Sequence, residues 1–131
     1  MLLVTVSMTA RSASKELFPK PIFSQLPMYP ELARRAHVAG TVRLWFVVNG
    51  NGEVVEVQSI SGNPMLRDDA VGVVRTWRFP ANSIASNVRH ETEFVYVLNA
   101  QLNEGEPKLT VSMADFRQIE IVSEVHVDVI E

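Results

Sequence analysis

Apolar and polar residues alternate along several stretches of this chain. In Thr41 to Asn49, Val42, Leu44, Phe46 and Val48 share one parity, while Thr41, Arg43, Trp45, Val47 and Asn49 share the other. A period of two is the mark of a strand with one buried face. Asn49-Gly50-Asn51-Gly52 follows, and Asn and Gly tolerate the positive φ that tight hairpin turns require. Glu53 to Ile60 then reads as the returning strand, with Val55 and Val57 on one face. Phe94, Tyr96 and Leu98 predict a third strand over Glu91 to Asn99. Leu109 to Met113 is a short fourth candidate. Ile119, Ile121, Val125, Val127 and Val129 alternate with Glu120, Glu124, His126 and Asp128, a long period-two run broken by Val122 and Ile130.

Two stretches follow helical spacing instead. Pro30 to Val38 predicts a short helix with Pro30 at its start, apolar through Leu32, Ala33 and Ala36, with Arg34 and Arg35 toward water and Gly40 as a stop. Asn63 is a good N-cap and Pro64 a good first residue for a second helix, Pro64 to Phe79, ended by Pro80. Leu66, Ala70, Val73, Val74 and Trp77 form its apolar stripe, which is expected to lie on the hairpin. Asp68 and Asp69 fall toward the positive end of its dipole, Arg75 and Arg78 toward the negative end. Pro19, Pro21, Pro27 and Pro30 make Lys15 to Pro30 an extended arm, because each proline fixes φ and removes a donor. The whole predicts an α+β fold: a small antiparallel sheet with two helices packed on it and extra C-terminal strands.

Composition narrows the function. Apolar residues are 47% and charged residues 21% of 131, which fits one globular domain. Cysteine is absent, so disulfides, thiol catalysis and thiolate metal sites are excluded. A net charge of −3 argues against nucleic-acid binding by bulk charge. The charge is uneven: from Ala100 onward seven acids and two bases give −5, leaving +2 on the rest. That acidic section is either drawn to the basic body or a solvated strand face. Residues 1–10 carry no charge; they read as the end of an export signal without its basic start, or as an N-terminal strand or arm.

No catalytic constellation emerges. His37, His90 and His126 fall at a helix end, in a loop and in a strand, with no partner at metal-ligand spacing. Ser59-Ile60-Ser61-Gly62 lacks the flanking glycines of a nucleophile elbow. Gly50-Asn51-Gly52 is a turn with no phosphate-binding helix behind it. Asp68 and Asp69 point about 100° apart on a helix, and Trp45 and Trp77 are packing residues. The expectation is a protein that is not an enzyme, with no cofactor, no metal and no nucleic-acid partner.

The order of elements becomes specific when read with its residues. Tyr29-Pro30-Glu31-Leu32-Ala33-Arg34-Arg35-Ala36 leads into Gly40-Thr41-Val42. Val47-Val48-Asn49-Gly50-Asn51-Gly52-Glu53-Val54 leads into Ser59-Ile60-Ser61-Gly62. Leu66 and Ala70 precede Val74-Arg75-Thr76-Trp77-Arg78-Phe79-Pro80. Over about residues 27 to 99 this resembles the C-terminal domain of the TonB energy-transducer family. The resemblance implies a periplasmic module of energy-dependent outer-membrane transport. It further implies that the module grips an extended segment of an outer-membrane receptor, the TonB box, by β-strand addition.

The chain then divides into an N-terminal extended arm, 1–26, a TonB C-terminal-like domain, 27–99, and an acidic C-terminal strand extension, 100–131. Because the resembled family uses the strand after the second helix, the expected binding edge is Glu91, Thr92, Glu93, Phe94, Val95, Tyr96, Val97 and Leu98. A membrane anchor and a long proline-rich spacer, parts of a full transducer, are not evident in these residues. An inner-membrane proton-driven motor would therefore be reached only through another protein. The alternative is a structural or envelope-interaction protein that keeps the fold without receptor binding, through self-association as a homodimer or contact with the cell wall. The extension is expected to pair with the third strand or the opposite edge and finish the sheet.

Overall fold

A computed structural model describes residues 18–101 and 105–126. Its elements run α1 (Glu31–Arg35), β1 (Gly40–Val48), β2 (Val54–Ser61), α2 (Pro64–Arg75), β3 (His90–Gln101), β4 (Leu109–Asp115) and β5 (Gln118–His126). The five strands form one sheet in the order β2-β1-β3-β5-β4. β1 is antiparallel to both β2 and β3, and β4 is antiparallel to β5. β3 and β5 are parallel, so the sheet is mixed rather than wholly antiparallel. The fold is α+β, with both helices on one face.

The alternation in β1 translates directly into burial. Val42, Leu44, Phe46 and Val48 are buried, and Trp45 and Val47 are half-buried on the open face. The inner residues of β3 and β5, Phe94, Tyr96, Ile119 and Ile121, continue the same layer. α2 covers β1 and β2 with Leu66, Ala70, Val73 and Val74 buried beneath it. Asn63 caps the helix by accepting from the Met65 N–H at 2.8 Å, which satisfies one of the otherwise orphaned first-turn donors.

Three local expectations are corrected. α2 stops at Arg75, one turn short of Phe79. The Thr76 hydroxyl donates to the Val73 carbonyl at 2.7 Å, and the chain then runs extended so that Phe79 N–H reaches the Gly52 carbonyl at 2.8 Å. Trp77 and Phe79 are still buried, but as parts of an extended link. α1 is only five residues long; it ends where His37 adopts φ 58°, and buries Ala33 while Leu32 and Ala36 stay exposed. In β2, Val57 is buried but Val55 is not. The pairing skips from Val47↔Glu56 to Val48↔Val54, so Val55 is an extra residue pushed out of register.

Core packing centres on aromatic rings. Phe46 lies edge-on to Trp77 at 5.5 Å and to Phe116 at 5.5 Å, and stacks on Phe79 at 5.9 Å. The hairpin is locked to this cluster through Gly52, whose φ is 86°. A Cβ there would sit 1.9 Å from the Phe79 carbonyl oxygen. Gly52→Ala is therefore expected to destabilise by about 2–3 kcal/mol, combining a strained left-handed backbone with a forced displacement of Phe79. A urea midpoint equal to that of the parent would show that the turn relaxes freely.

Over its described residues, from Phe18 onward, the proline-punctuated arm is extended; its start at Lys15 and the uncharged residues 1–10 lie outside the described residues. Ile22 N–H donates to the Arg78 carbonyl at 2.7 Å, and Arg78 N–H donates to the Phe23 carbonyl at 3.1 Å. Gln25 N–H donates to the Thr76 hydroxyl oxygen at 2.9 Å. The Trp77 indole N–H donates to Ser24 Oγ at 2.9 Å. The arm thus runs along α2 from its C-terminal end toward Asp69, where Met28 N–H reaches a carboxylate oxygen at 3.4 Å.

Candidate peptide-binding strand

β3 is the strand on which peptide addition was expected, and the structure places it inside the sheet. Gly40 to Phe46 of β1 pair with Tyr96 back to His90 on one side. On the other side Glu93 to Gln101 pair with Gln118 to His126 of β5. Glu91 to Leu98 is therefore not an open edge among the described residues. His90, Glu91 and Thr92 precede the β5 pairing, but the chain is pinned there too. Glu93 N–H donates to the Arg117 carbonyl at 3.0 Å, and the Thr92 hydroxyl donates to the Phe116 carbonyl.

The order of β4 and β5 has a physical cause. A strand between two others is shielded on both flanks, whereas an edge strand is not. β5 carries the fully buried Ile119 and Ile121, and β4 carries the half-buried Val111 and Met113. The more apolar strand takes the inner position, although this makes its pairing with β3 parallel. Phe116, in the β4–β5 turn, is buried against Phe46 and Phe79. Glu120 on the open face is exposed, and Glu124 is half-buried with its carboxylate accepting from Lys108 N–H at 3.1 Å. Of the acids in this section, Glu120 and Glu124 lie along β5, Glu106 precedes β4 and Asp115 ends it; Glu104, Asp128 and Glu131 lie outside the described residues.

Side chains of β3 split by parity. Thr92, Phe94 and Tyr96 are buried; Glu93, Val95 and Val97 are half-buried on the open face, and Glu91 is exposed. Arg43 and Glu91 pair across β1 and β3 at 2.7 Å, and Gln118 donates to Glu93 across β3 and β5 at 2.5 Å. The Arg89 guanidinium lies 4.0 Å over the Trp45 ring on the same face.

Tyr96 connects the strand to the helix. Its hydroxyl donates to Asp69 Oδ2 at 2.7 Å, and its ring meets Tyr29 edge-on at 5.5 Å. Burial pushes the Tyr96 hydroxyl far above the usual tyrosine range, and the neighbouring Asp69 carboxylate pushes it further. Tyr29, which donates to the Val38 carbonyl at 2.6 Å, is pushed up to about 12 by burial. Asp69 is raised by its own burial, against the lowering effect of the bonds from Tyr96 and Met28. The carboxylate at position 69 therefore clamps arm, helix and strand, a role that helix-dipole reasoning does not reach.

The sign of its pH effect follows. A carboxyl raised in the folded state contributes stability that is complete below its unfolded pKa and lost as pH rises through the folded value. Asp69→Asn cannot ionise and still offers an oxygen to Tyr96. Its stability relative to the parent is expected to improve from acid pH toward neutrality, then to level off. Urea unfolding of both proteins across that range checks this; a relative loss with rising pH would show that the fold favours the ionised carboxylate.

The histidines stay apart. His37 is exposed, and His90 packs on Phe46 and Phe116 with Nε2 2.7 Å from the Ala85 carbonyl. The side chain of His126 lies outside the described structure. Among the described residues no three His, Asp or Glu side chains converge as a metal site. No helix among them is long and apolar enough to cross a membrane.

The hairpin, second helix and third strand form one packed α+β unit. Residues 25–98 match the family described as Gram-negative bacterial TonB protein C-terminal, and the chain belongs to that family. The chain is 30% identical over 77 residues to Protein TonB of Klebsiella aerogenes. That match covers 54% of this chain and 32% of the relative, so the chain spans about a third of the relative's length. The family match ends within β3; β4 and β5 lie wholly beyond it.

Proposed function

We propose that this chain is a periplasmic protein-binding module of energy-dependent outer-membrane transport. It recognises an extended segment of a TonB-dependent outer-membrane receptor by strand addition along Glu91 to Leu98, in competition with its own β5. One observation carries this reading. Within the family-matched residues 25–98, β3 has a partner only on its β1 side. The added C-terminal segment fills the remaining side. That side of β3 is therefore able to accept a strand, and backbone groups, with no catalytic side chain, would supply the binding.

The test is titration with N-terminal peptides of outer-membrane receptors, followed by backbone amide shifts. Ile119→Ala weakens β5 while leaving β1 to β3 intact. A core isoleucine truncation costs about 2–5 kcal/mol, so the variant is expected to bind such a peptide at least about 10-fold more tightly than the parent. Shifts should concentrate in Glu93 to Leu98. Absence of binding by both proteins would reject the receptor reading. The coverage of β3 by β5 would then favour the second reading, a structural or envelope-interaction protein that keeps the fold. Recovery of the native protein from the cytosol rather than the periplasm would reject the location.

A further inference from the structure

β4 leaves one long side of the sheet unpaired: among the described residues it is bonded only to β5. Free N–H and C=O groups on such a side are a template for another strand unless the edge is protected. The opposite edge, β2, is protected. Its pairing with β1 is irregular at two places, which leaves Val55 and Ile60 out of register, and bulges twist an edge away from a new partner. β4 pairs regularly from Leu109 to Met113 with Ser123 back to Ile119, and its single irregularity, between Met113 and Asp115, lies at its far end. Its apolar side is also incomplete. α2 lies over β1 and β2, and α1 reaches β5. Leu109 is left 38% exposed, and Val111 and Met113 are only half-buried.

We propose that β4 pairs edge to edge, antiparallel, with β4 of a second copy of this chain, so that two five-stranded sheets become one about a twofold axis. This goes beyond receptor binding and does not depend on it. The sequence selects the register. Directly opposed residues of an antiparallel pair share a face. With the axis at Val111, Val111 opposes itself, Leu109 opposes Met113, and Thr110 opposes Ser112. Apolar meets apolar on the core side, and hydroxyl meets hydroxyl on the other. An axis at Thr110 would set Met113 against Pro107, and one at Ser112 would carry the ladder past Met113 into the irregularity before Asp115. The Val111 register also brings Lys108 of each copy near Asp115 of the other, whose carboxylate already accepts from its own Arg117 at 3.2 Å, with no like charges directly opposed. Because β2 is blocked, each copy has one usable edge and pairing closes at two copies instead of continuing as an array.

The cysteine-free chain makes the test clean. Sedimentation at about 0.1–1 mM chain is expected to give a mass near twice 14.7 kDa. Leu109→Lys, at a partly exposed position, should keep the far-UV spectrum and weaken association by about 10-fold or more. Val111→Cys should cross-link to itself under a short bifunctional thiol reagent, and Gln58→Cys on β2 should not. A monomer throughout this range overturns the proposal. So does a dimer that Leu109→Lys leaves unchanged and that cross-links through position 58 but not 111. Thr5-Val6-Ser7-Met8 repeats Thr110-Val111-Ser112-Met113, so a Val6→Cys/Val111→Cys chain that cross-links only within one molecule would assign the edge to its own N-terminal residues and also overturn it.

Discussion

Trp77→Ala is expected to lower stability by about 3–5 kcal/mol, the usual cost of truncating a fully buried large aromatic residue. The side chain is 1% exposed and lies among aromatic rings from three segments of the chain. Its ring lies edge-on to Phe46 at 5.5 Å and Phe79 at 6.0 Å, and stacks with Phe94 at 6.1 Å. These rings come from β1, the link after α2, and β3. Its indole N–H holds Ser24 of the arm, so truncation also leaves that hydroxyl without a donor. Neighbouring rings are large and locked against one another, which limits collapse into the void. A fall in Tm of roughly 10–25 °C follows for a domain of this size. Trp77→Phe is expected to cost less than the alanine variant, since it keeps an aromatic ring in the core while losing the bond to the arm and part of the indole volume. An unchanged denaturation midpoint in the alanine variant would remove Trp77 from the core.

Truncation after Asn99 is expected to have the other large effect. It removes Phe116, Ile119 and Ile121, all buried. At about 1.5–3 kcal/mol for each such side chain, the loss is roughly 5–9 kcal/mol, comparable with the whole stability of an ordinary domain. The truncated protein should be folded only marginally, with a broad transition at low temperature. Under the proposed function it should gain most from an added receptor peptide, because a strand on β3 restores the missing pairing. A peptide-induced rise in Tm larger than that of the full chain is the expected readout. Full stability without residues 100–131 would show that β5 is an ornament of the sheet; a folded truncated protein that ignores the peptide would reject competition.

Much of the fold was legible along the chain because local and tertiary preferences agree there. β1 alternates cleanly, and each of Val42, Leu44, Phe46 and Val48 went inside. The Asn-Gly turn, the Asn63 cap and the four buried positions of α2 are set by backbone conformation and helical spacing, which neighbouring residues suffice to specify. The period-two run after Gln118 likewise announced a strand with one apolar face. Where local rules failed, contacts from distant segments had won. Trp77 continues the helical stripe, yet Phe79 bonds to Gly52 and draws the link straight. Val55 has the right parity for the core, yet the bulge opposite Val47 and Val48 turns it out.

The candidate site divides in the same way. The residues of β3, their alternation and their place after α2 were determined by the sequence alone. Whether β3 is an edge was not, because parity states which face a residue takes and nothing about which strand lies beside it. Only the tertiary structure put β5 parallel on β3 and sent β4 outside. Ile119 and Ile121 bury more apolar surface than Val111 and Met113, and the interior position rewards that difference. The Asp69–Tyr96 bond belongs to the same class, since two residues 27 positions apart meet only after the helix has settled on the sheet.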